Sequence, residues 1–191
     1  MLKAAALLLS LLMLVAPAAA ASPVKARTLG GIGILLISSE KPQITLFKEP
    51  SLGRISTTDA SALPLSPSIK PPEGFIAAVV TAKKGGWFRI IYDDGERDGW
   101  LEGRALYQFY RWEELLGNRQ ITLLGGLKKE YYQLRKLPEL SATALEPVGK
   151  GVKVTAMRLE GEWLEVVTAA KTKGWLRWRD ENNRLVIAIT L

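Results

Sequence analysis

Four carboxylates in one short segment are the residues of this chain with the most obvious capacity for chemistry. They are Asp93, Asp94, Glu96 and Asp98. A pair of carboxylates carries out glycoside hydrolysis, and spaced oxygen ligands with a closing Glu bind calcium in loops. The segment reads Asp-Asp-Gly-Glu-Arg-Asp, which lacks that spacing and that closing Glu, while Asp-Asp-Gly is a turn signal. It is therefore predicted to be the solvated tip of a hairpin.

Two missing residue types narrow the chemistry further. The 191 residues include no His and no Cys, which removes Ser–His and Cys–His nucleophiles and the usual zinc ligands. The glycine-rich stretches at 30–33 and 125–126 lack the spacing of a phosphate-binding loop. We therefore expect a protein that is not an enzyme and that uses neither a cofactor nor a metal ion. An envelope hydrolase acting through an Asp or a Glu is the disfavoured alternative.

Aromatic side chains are the remaining candidates for a functional surface, because aromatic-lined grooves bind extended peptides. The ligand-binding candidates are Trp87, Tyr92, Trp100, Trp163 and Trp175. Packing is the alternative role for these residues, since each aromatic side chain can bury a large apolar area. A second aromatic group is expected to hold folded parts of the chain together, with a ligand groove as the alternative. Its members are Tyr107, Phe109, Tyr110, Trp112, Tyr131 and Tyr132.

All five of the ligand-binding candidates belong to a cassette that occurs twice. GGWFRIIYDDGERDGWL begins at Gly85, and GEWLEVVTAAKTKGWL begins at Gly161. Aligning the first Trp of each cassette superimposes the two Gly-Trp-Leu endings with one residue of gap, at Trp spacings of 13 and 12. Upstream of each cassette a strand-like segment ends in a proline, Pro50 or Pro138. This self-similarity indicates two structural units in tandem.

The cassette resembles the bacterial SH3-like (SH3b) family. The shared features are a strand ending in a Pro turn, a Gly-rich lead, Trp-x-x-Ile/Val, a hairpin loop and Gly-Trp-Leu. The second copy, 132–189, matches better than the first, whose loop between Pro50 and Gly74 is longer than usual. The resemblance implies two small β-barrels, and attachment to cell-wall peptide or glycan, or to a protein partner, through a groove.

Short β-branched runs bounded by Gly, Pro, Asp or Asn predict an all-β fold, with two small SH3-like β-barrels in tandem. The predicted divisions are a signal peptide at 1–21, an N-terminal extension with one strand at 22–42, a divergent first barrel at 43–110, a linker at 111–129 and a second barrel at 130–191. Within them, a long Pro-rich loop is assigned to 51–74, a short helix to 111–116 and the last strand of the first copy to 120–124.

The alternation of side chains along a strand predicts which residues of the cassette face inward. Leu101 and Leu176 are expected inside their barrels. Trp100 and Trp175 then point outward, and we expect loops to cover about half of each. On this basis the tryptophans are available to a ligand.

The N-terminal segment is typical of a secretory signal peptide. A basic start with Lys3 precedes an apolar run at 4–16, and small residues follow Pro17. Cleavage after Ala20 or Ala21 is predicted, and a retained membrane anchor is the alternative. The net charge of +7 is dispersed rather than gathered on one face as in nucleic-acid-binding proteins. We expect export to the periplasm, no nucleic-acid partner and no stable membrane insertion after cleavage.

Two functions from different classes follow from these features. The first is an exported, non-catalytic module that binds cell-wall peptidoglycan or an extended peptide through aromatic barrel surfaces. The alternative is a structural or assembly component of an envelope protein complex. Apolar strands at 32–37 and 185–191 favour the alternative slightly, because each could pair with a partner's sheet edge or with the other.

Overall fold

The computed structural model describes residues 27–40 and 43–191, so the predicted signal peptide at 1–21 lies outside the described residues. Strands make up 52% of the structure and helices 7%, which confirms the all-β class. The strands are β1 (Gly33–Ser38), β2 (Gln43–Glu49), β3 (Leu52–Asp59), β4 (Ile69–Lys70), β5 (Phe75–Lys84), β6 (Trp87–Ile91), β7 (Asp98–Glu102), β8 (Tyr107–Arg111), β9 (Gln120–Leu123), β10 (Gln133–Arg135), β11 (Ala144–Pro147), β12 (Lys153–Glu160), β13 (Trp163–Val167), β14 (Lys173–Arg177) and β15 (Ile187–Thr190). The helices are α1 (Trp112–Leu116) and two 3-10 turns, Ala60–Ala62 and Lys129–Tyr132.

The strands form two sheets. The first has the order β3-β2-β7-β6-β5-β1-β8, and the second has the order β11-β10-β14-β13-β12-β9-β15-β4. Neighbouring strands are antiparallel except β4 and β15, which are parallel. In the described ranges no ladder joins the two ends of either sheet, so both sheets are open and neither is a closed barrel.

The second sheet repeats the strand order of the first, position by position. Strands β1, β2, β3, β5, β6, β7 and β8 correspond to β9, β10, β11, β12, β13, β14 and β15 in that order. We call residues 33–111 the first unit and residues 120–190 the second unit. The short strand β4 lies between β3 and β5 in the chain and is the additional strand at the edge of the second sheet.

The strand register within the two units confirms the sequence alignment of the cassettes. Phe88 pairs with Leu101 in the first unit, and Leu164 pairs with Leu176 in the second. The one-residue gap falls in the loop between these paired strands. Both units also carry a register shift at the matching place in the preceding strand pair, β5–β6 and β12–β13. Leu101 and Leu176 are buried, as predicted.

Glycine is required at two kinds of position in the cassette. Gly85 and Gly161 each open the turn before a Trp and each have a φ of +57°, a conformation that costs little only without a Cβ. Gly174 lies against the neighbouring strand, where an added Cβ would be 2.7 Å from Leu134 Cγ and 2.8 Å from the Arg135 carbonyl oxygen. The first glycines set the turn, and the last allows two strands to approach closely.

Two strands lie elsewhere than the sequence indicated. The apolar strand at 32–37, expected in an N-terminal extension, is β1 and pairs with β5 and β8 inside the first sheet. The segment 120–124, predicted as the last strand of the first copy and placed in a linker, forms β9 and pairs with β12 and β15 in the second sheet. Strands β1 and β15 do not pair with each other. Each strand is instead paired on both sides within its own sheet.

The segment 51–74 is not a long extended loop, so that prediction is wrong. Strand β3 occupies its first part and forms a hairpin with β2, and β4 lies near its end. The physical reason is that the prolines begin only at Pro64, whereas the preceding stretch contains Ile55, Thr57 and Thr58, which favour strands. Ser51 takes a φ of 64° in the tight turn that joins β2 to β3.

The predicted helix is present as α1. The Arg111 backbone N–H stabilises its first turn by donating a hydrogen bond to the Glu114 carboxylate at 3.1 Å. Gly117 follows the helix with a φ of −56°, and Asn118 then takes the left-handed conformation with a φ of 59°. The helix places Trp112 in the apolar core of the second unit.

Strand β1 contributes to both apolar cores, which explains why all six of its residues are buried. Leu35 and Ile37 belong to the core of the first unit. Ile34 and Leu36 point the other way and belong to the core of the second unit, as does Val79 on the neighbouring strand β5. The two units are therefore joined through apolar packing rather than separated by a linker.

Candidate functional site

The acidic segment joins β6 to β7, and three of its four carboxylates are neutralised by arginines. Asp93 pairs with Arg97, Asp98 lies 2.9 Å from Arg89, and Glu96 pairs with Arg184 of the second unit. The Arg97 backbone N–H, aided by its side chain, holds the pKa of Asp93 below its usual value. These carboxylates serve as partners of arginine, an arrangement unsuited to a general acid. In the described part of the chain, no group of three or more acidic, His or Cys side chains could hold a metal ion.

Trp87 and Trp100 lie together on the outer face of the first sheet. Their strands pair so that Arg89 is the partner of Trp100, and partners on neighbouring strands share a face. Phe47 completes the group from β2. It is the cross-strand partner of Trp100, and its ring meets the ring of Trp87 edge-on at 5.5 Å between centroids. We call Phe47, Trp87, Arg89 and Trp100 the first aromatic patch.

The first aromatic patch occupies the part of this outer face that the second unit leaves uncovered. The outer residues of β1 and β5, among them Ile34 and Val79, pack into the core of the second unit. On β6, β7 and β2, Trp87 and Phe47 are only half-buried, and the side chain of Arg89 is 45% exposed. Arg89 is bonded to Asp98, so the patch carries little unbalanced charge.

Trp100 and Trp175 are more buried than expected. They were predicted to be half covered by loops, but only 8% and 5% of their surface remains exposed. The reason is that long side chains on the same face of the sheet lie on them. The Arg158 guanidinium stands 5.0 Å from the centre of the Trp175 ring. Trp100 is flanked by its partners Phe47 and Arg89.

Tyr92 does not join the other candidates. It follows β6 at a position whose side chain packs against the core of the first unit, on the opposite face from Trp87. Arg97 lies over its ring at 5.5 Å. Tyr92 therefore supports the hairpin that carries the acidic segment, and it does not extend the first aromatic patch.

The matching surface of the second unit is dominated by ion pairs. Trp163 is half-buried, and its cross-strand partner is Arg177. Arg177 is itself 5% exposed and is held by Glu162 at 2.7 Å and Glu181 at 3.3 Å. Nearby, Glu165 bonds to Lys173 at 3.1 Å. The repeat thus places tryptophans equivalently in both units but surrounds them with different chemistry.

Phe47 is the aromatic member of the first aromatic patch that sequence reasoning missed. The alignment of the two copies matched it with Arg135, and β10 pairs with β14 so that Arg135 is the partner of Trp175. Both positions therefore lie beside the buried Trp of the Gly-Trp-Leu motif. The sequence signal that could have found Phe47 is the alignment of Pro50 with Pro138, because it gives Phe47 and Arg135 equivalent positions.

The second aromatic group has the packing role that was expected. Trp112 and Trp178 stack at 5.2 Å between ring centroids, and both are buried in the core of the second unit. The Trp112 indole donates to the Gly30 carbonyl oxygen at 2.6 Å, which ties the segment before β1 to α1. Phe109 packs on the core of the first unit, and Tyr131 is buried in that of the second.

A cavity of about 310 Å³ lies beside the acidic segment, lined by residues 27–29, residues 64–67 and the strands β5 and β6. Its floor is apolar and includes Val79 and Ile91, while Asp94 and Glu96 stand at its acidic side. Leu65, which is 76% exposed, belongs to the loop on its other side. Because Glu96 is paired with Arg184, its negative charge is already balanced and it offers little to a ligand in this cavity.

Comparison with protein-family models finds no match, and comparison with curated proteins likewise finds none. No described helix is both long enough and apolar enough to cross a membrane. The functional argument therefore depends on the geometry of the first aromatic patch and on the residues of the repeat.

Proposed function

We propose that this protein is an exported, non-catalytic binding module that recognises cell-wall peptidoglycan, or an extended peptide, through the first aromatic patch. The proposal includes the SH3b resemblance of the repeated cassette, removal of the signal peptide and residence in the periplasm. Trp87 is the principal contact residue, and Phe47 and Trp100 form the wall against which it is held.

The observation that carries the proposal is the half-buried Trp87 held edge-on by Phe47 at 5.5 Å. A ring that is fixed by a neighbour loses little conformational freedom when a ligand stacks on it, so more of the contact energy remains as affinity. Aromatic residues with large, rigid contact areas are the usual anchors of binding surfaces. The uncovered position on β6, β7 and β2 supports the same conclusion.

The charge of the patch indicates how a ligand is held. Arg89 is paired with Asp98 at 2.9 Å, and the patch itself includes no other basic residue. A ligand that stacks on aromatic rings is bound mainly by apolar contact, which salt does not screen. Binding at moderate ionic strength is therefore expected, in contrast to a loose association driven by the overall positive charge.

The test is co-sedimentation of the purified protein with peptidoglycan sacculi in moderate salt. Trp87→Ala is expected to weaken binding by about tenfold or more, as is usual for a central aromatic contact. Trp163→Ala is the matched control, because it removes the equivalent half-buried Trp of the second unit. Circular dichroism of each variant verifies the fold.

Two results would count against the proposal. One is equal retention of wild type and Trp87→Ala on sacculi, and the other is binding that disappears with salt whichever Trp is replaced. If Trp163→Ala alone removes binding, the second unit is the binding unit and the assignment to the first aromatic patch is wrong.

A structural or assembly role is the second candidate function, and one surface favours it. The β10–β11 hairpin exposes Leu137, Leu140 and Leu145 at 53%, 52% and 43%, beside the edge strand β11. Exposed leucines at a sheet edge are suited to contact with another protein. Cross-linking in cell envelopes, compared between wild type and a Leu137→Gln, Leu140→Gln variant, tests this role.

A further inference from the structure

A second concave surface lies on the outer face of the second sheet, far from the aromatic residues in strand order. It has a volume of about 610 Å³ and is lined by β4, β9, β15 and the start of β12. The surface exists because β4, which comes from the chain of the first unit, adds to β15 and widens the sheet. No part of the first aromatic patch contributes to it.

The floor of this groove consists of small side chains, because of the strand register. Thr122 on β9 is the partner of Lys153 on β12 and of Ala188 on β15. Thr190 then follows Ala188 on the same face and pairs with Lys70 on β4. The small residues leave room between the two lysines, since each lysine stands on an outer strand of the groove.

The charge of the groove is entirely positive. Lys70, Arg119 and Lys153 line it, and in the described part of the chain no Asp or Glu does. All three are exposed. Among the described residues none of the three forms an ion pair, whereas the arginines and one lysine near the aromatic surfaces are bonded to carboxylates. Three convergent cations without counter-charges favour an anion.

Ser68 gives an independent indication that a polar ligand belongs here. It lines the groove and is 1% exposed, yet its hydroxyl oxygen has no hydrogen-bond partner among the described residues. Its backbone is satisfied, because its N–H donates to Ser66 Oγ and its carbonyl accepts from Ile189. A buried hydroxyl without a partner is uncommon in proteins and calls for an explanation.

We propose that this groove is a binding site for a phosphate ester. Lys70, Arg119 and Lys153 would neutralise the phosphate, which carries up to two charges near neutral pH, and the Ser68 hydroxyl would donate to one of its oxygens. Thr122 and Thr190 supply further hydroxyl donors from the floor. The site is separate from the proposed peptidoglycan contact, so each of the two assignments can fail without the other.

The test is an NMR titration of the purified protein with glycerol phosphate, followed through the backbone amide signals. Saturable shifts are expected for the residues of the groove, and Lys70→Gln, Arg119→Gln, Lys153→Gln in combination should weaken affinity by about tenfold or more, because charge-assisted hydrogen bonds are lost. The matched control is Lys84→Gln, Lys129→Gln, Lys136→Gln, which removes the same charge from exposed lysines outside the groove.

Ser68→Ala distinguishes a ligand contact from a packing role. Because the hydroxyl has no partner in the part of the free protein that the structure describes, the unfolding midpoint should not fall, while affinity for glycerol phosphate should drop by about fivefold. Two results would overturn the proposal: absence of saturable shifts in the groove, or equal weakening by the control triple variant. The first would show that the groove does not bind the phosphate, and the second would show only a diffuse response to net charge.

A vesicle flotation assay identifies the source of the phosphate. Vesicles containing phosphatidylglycerol are compared with vesicles of phosphatidylcholine alone in a flotation assay. Flotation that requires phosphatidylglycerol and is lost in the groove variant assigns a lipid headgroup. Shifts with glycerol phosphate but no flotation assign a soluble or polymeric phosphate ester, and both results support the site.

Discussion

Replacement of Trp112 tests whether the two units form one cooperative structure. This side chain is 3% exposed, stacks on Trp178 at 5.2 Å and donates from its indole to the Gly30 carbonyl oxygen at 2.6 Å. It therefore links α1, the second core and the segment that leads into β1. A variant that removes it should loosen both units and not only the second.

The expected magnitude follows from these contacts. Trp112→Ala removes a fully buried aromatic side chain, for which the loss of unfolding free energy is about 3–5 kcal/mol. Trp112→Phe keeps most of the ring but leaves the Gly30 carbonyl without its donor, and the cost is about 1–3 kcal/mol. In a double-mutant cycle with Trp178→Ala, the coupling between the two rings should be about 0.5–1.5 kcal/mol.

Equilibrium urea unfolding, followed by circular dichroism and by Trp fluorescence, measures these values. The two probes should report one transition in wild type, because β1 is packed into both cores. Trp87→Phe is the control and should change stability by less than about 1 kcal/mol, since its ring is half-exposed. A loss below about 1 kcal/mol for Trp112→Ala, or two separate transitions in wild type, would refute the shared core.

Two further predictions concern stability. Burial and then the bond to a carboxylate raise the pKa of Tyr131 from 10.0 to about 12, so the stabilisation present below pH 10 is lost as pH rises to about 12. In urea titrations the advantage of wild type over Tyr131→Phe should shrink across that window, and a constant difference would contradict the burial argument. Gly174→Ala should cost about 1–3 kcal/mol, because its Cβ would meet Leu134 Cγ at 2.7 Å. Gly86→Ala, with open space around the added Cβ, should be near neutral in thermal unfolding, and similar losses for both would contradict the close-approach argument.

The repeat was the part of the fold that the sequence could predict in detail. The cassette aligns Trp87 with Trp163, and strand pairing puts both at the same cross-strand position, opposite Glu102 and Arg177. Local patterns suffice here, because the alternation of side chains and the turn glycines are properties of neighbouring residues.

The positions of β1 and β9 could not be predicted in the same way. Both are short apolar strands whose partners are distant in the chain, and local periodicity does not identify a partner. One signal was available, since the run Ile34–Ile37 is apolar without alternation, as expected for a strand covered on both faces. It indicated burial but not which cores Ile34 and Leu35 enter.

The candidate site was predicted by residue type and only in part by geometry. Alternation placed Trp100 on the outer face but could not show that Phe47 and Arg89 flank it. Tyr92 was assigned to the site because it is near Trp87 in the chain, although the side chains point to opposite faces. The side chains that pack on a tryptophan from other strands are set by the tertiary structure, and the sequence of one segment does not reveal them.

The most direct test of peptidoglycan recognition uses the six Trp residues as reporters. Indole N–H signals are recorded by NMR while a soluble muropeptide is added to the purified protein. The proposal predicts that the Trp87 signal shifts most and that Trp100 follows, while the core residues Trp112 and Trp178 do not respond. Unchanged indole signals at saturating muropeptide, or shifts confined to Trp163 and Trp175, would contradict the assignment of binding to the first aromatic patch.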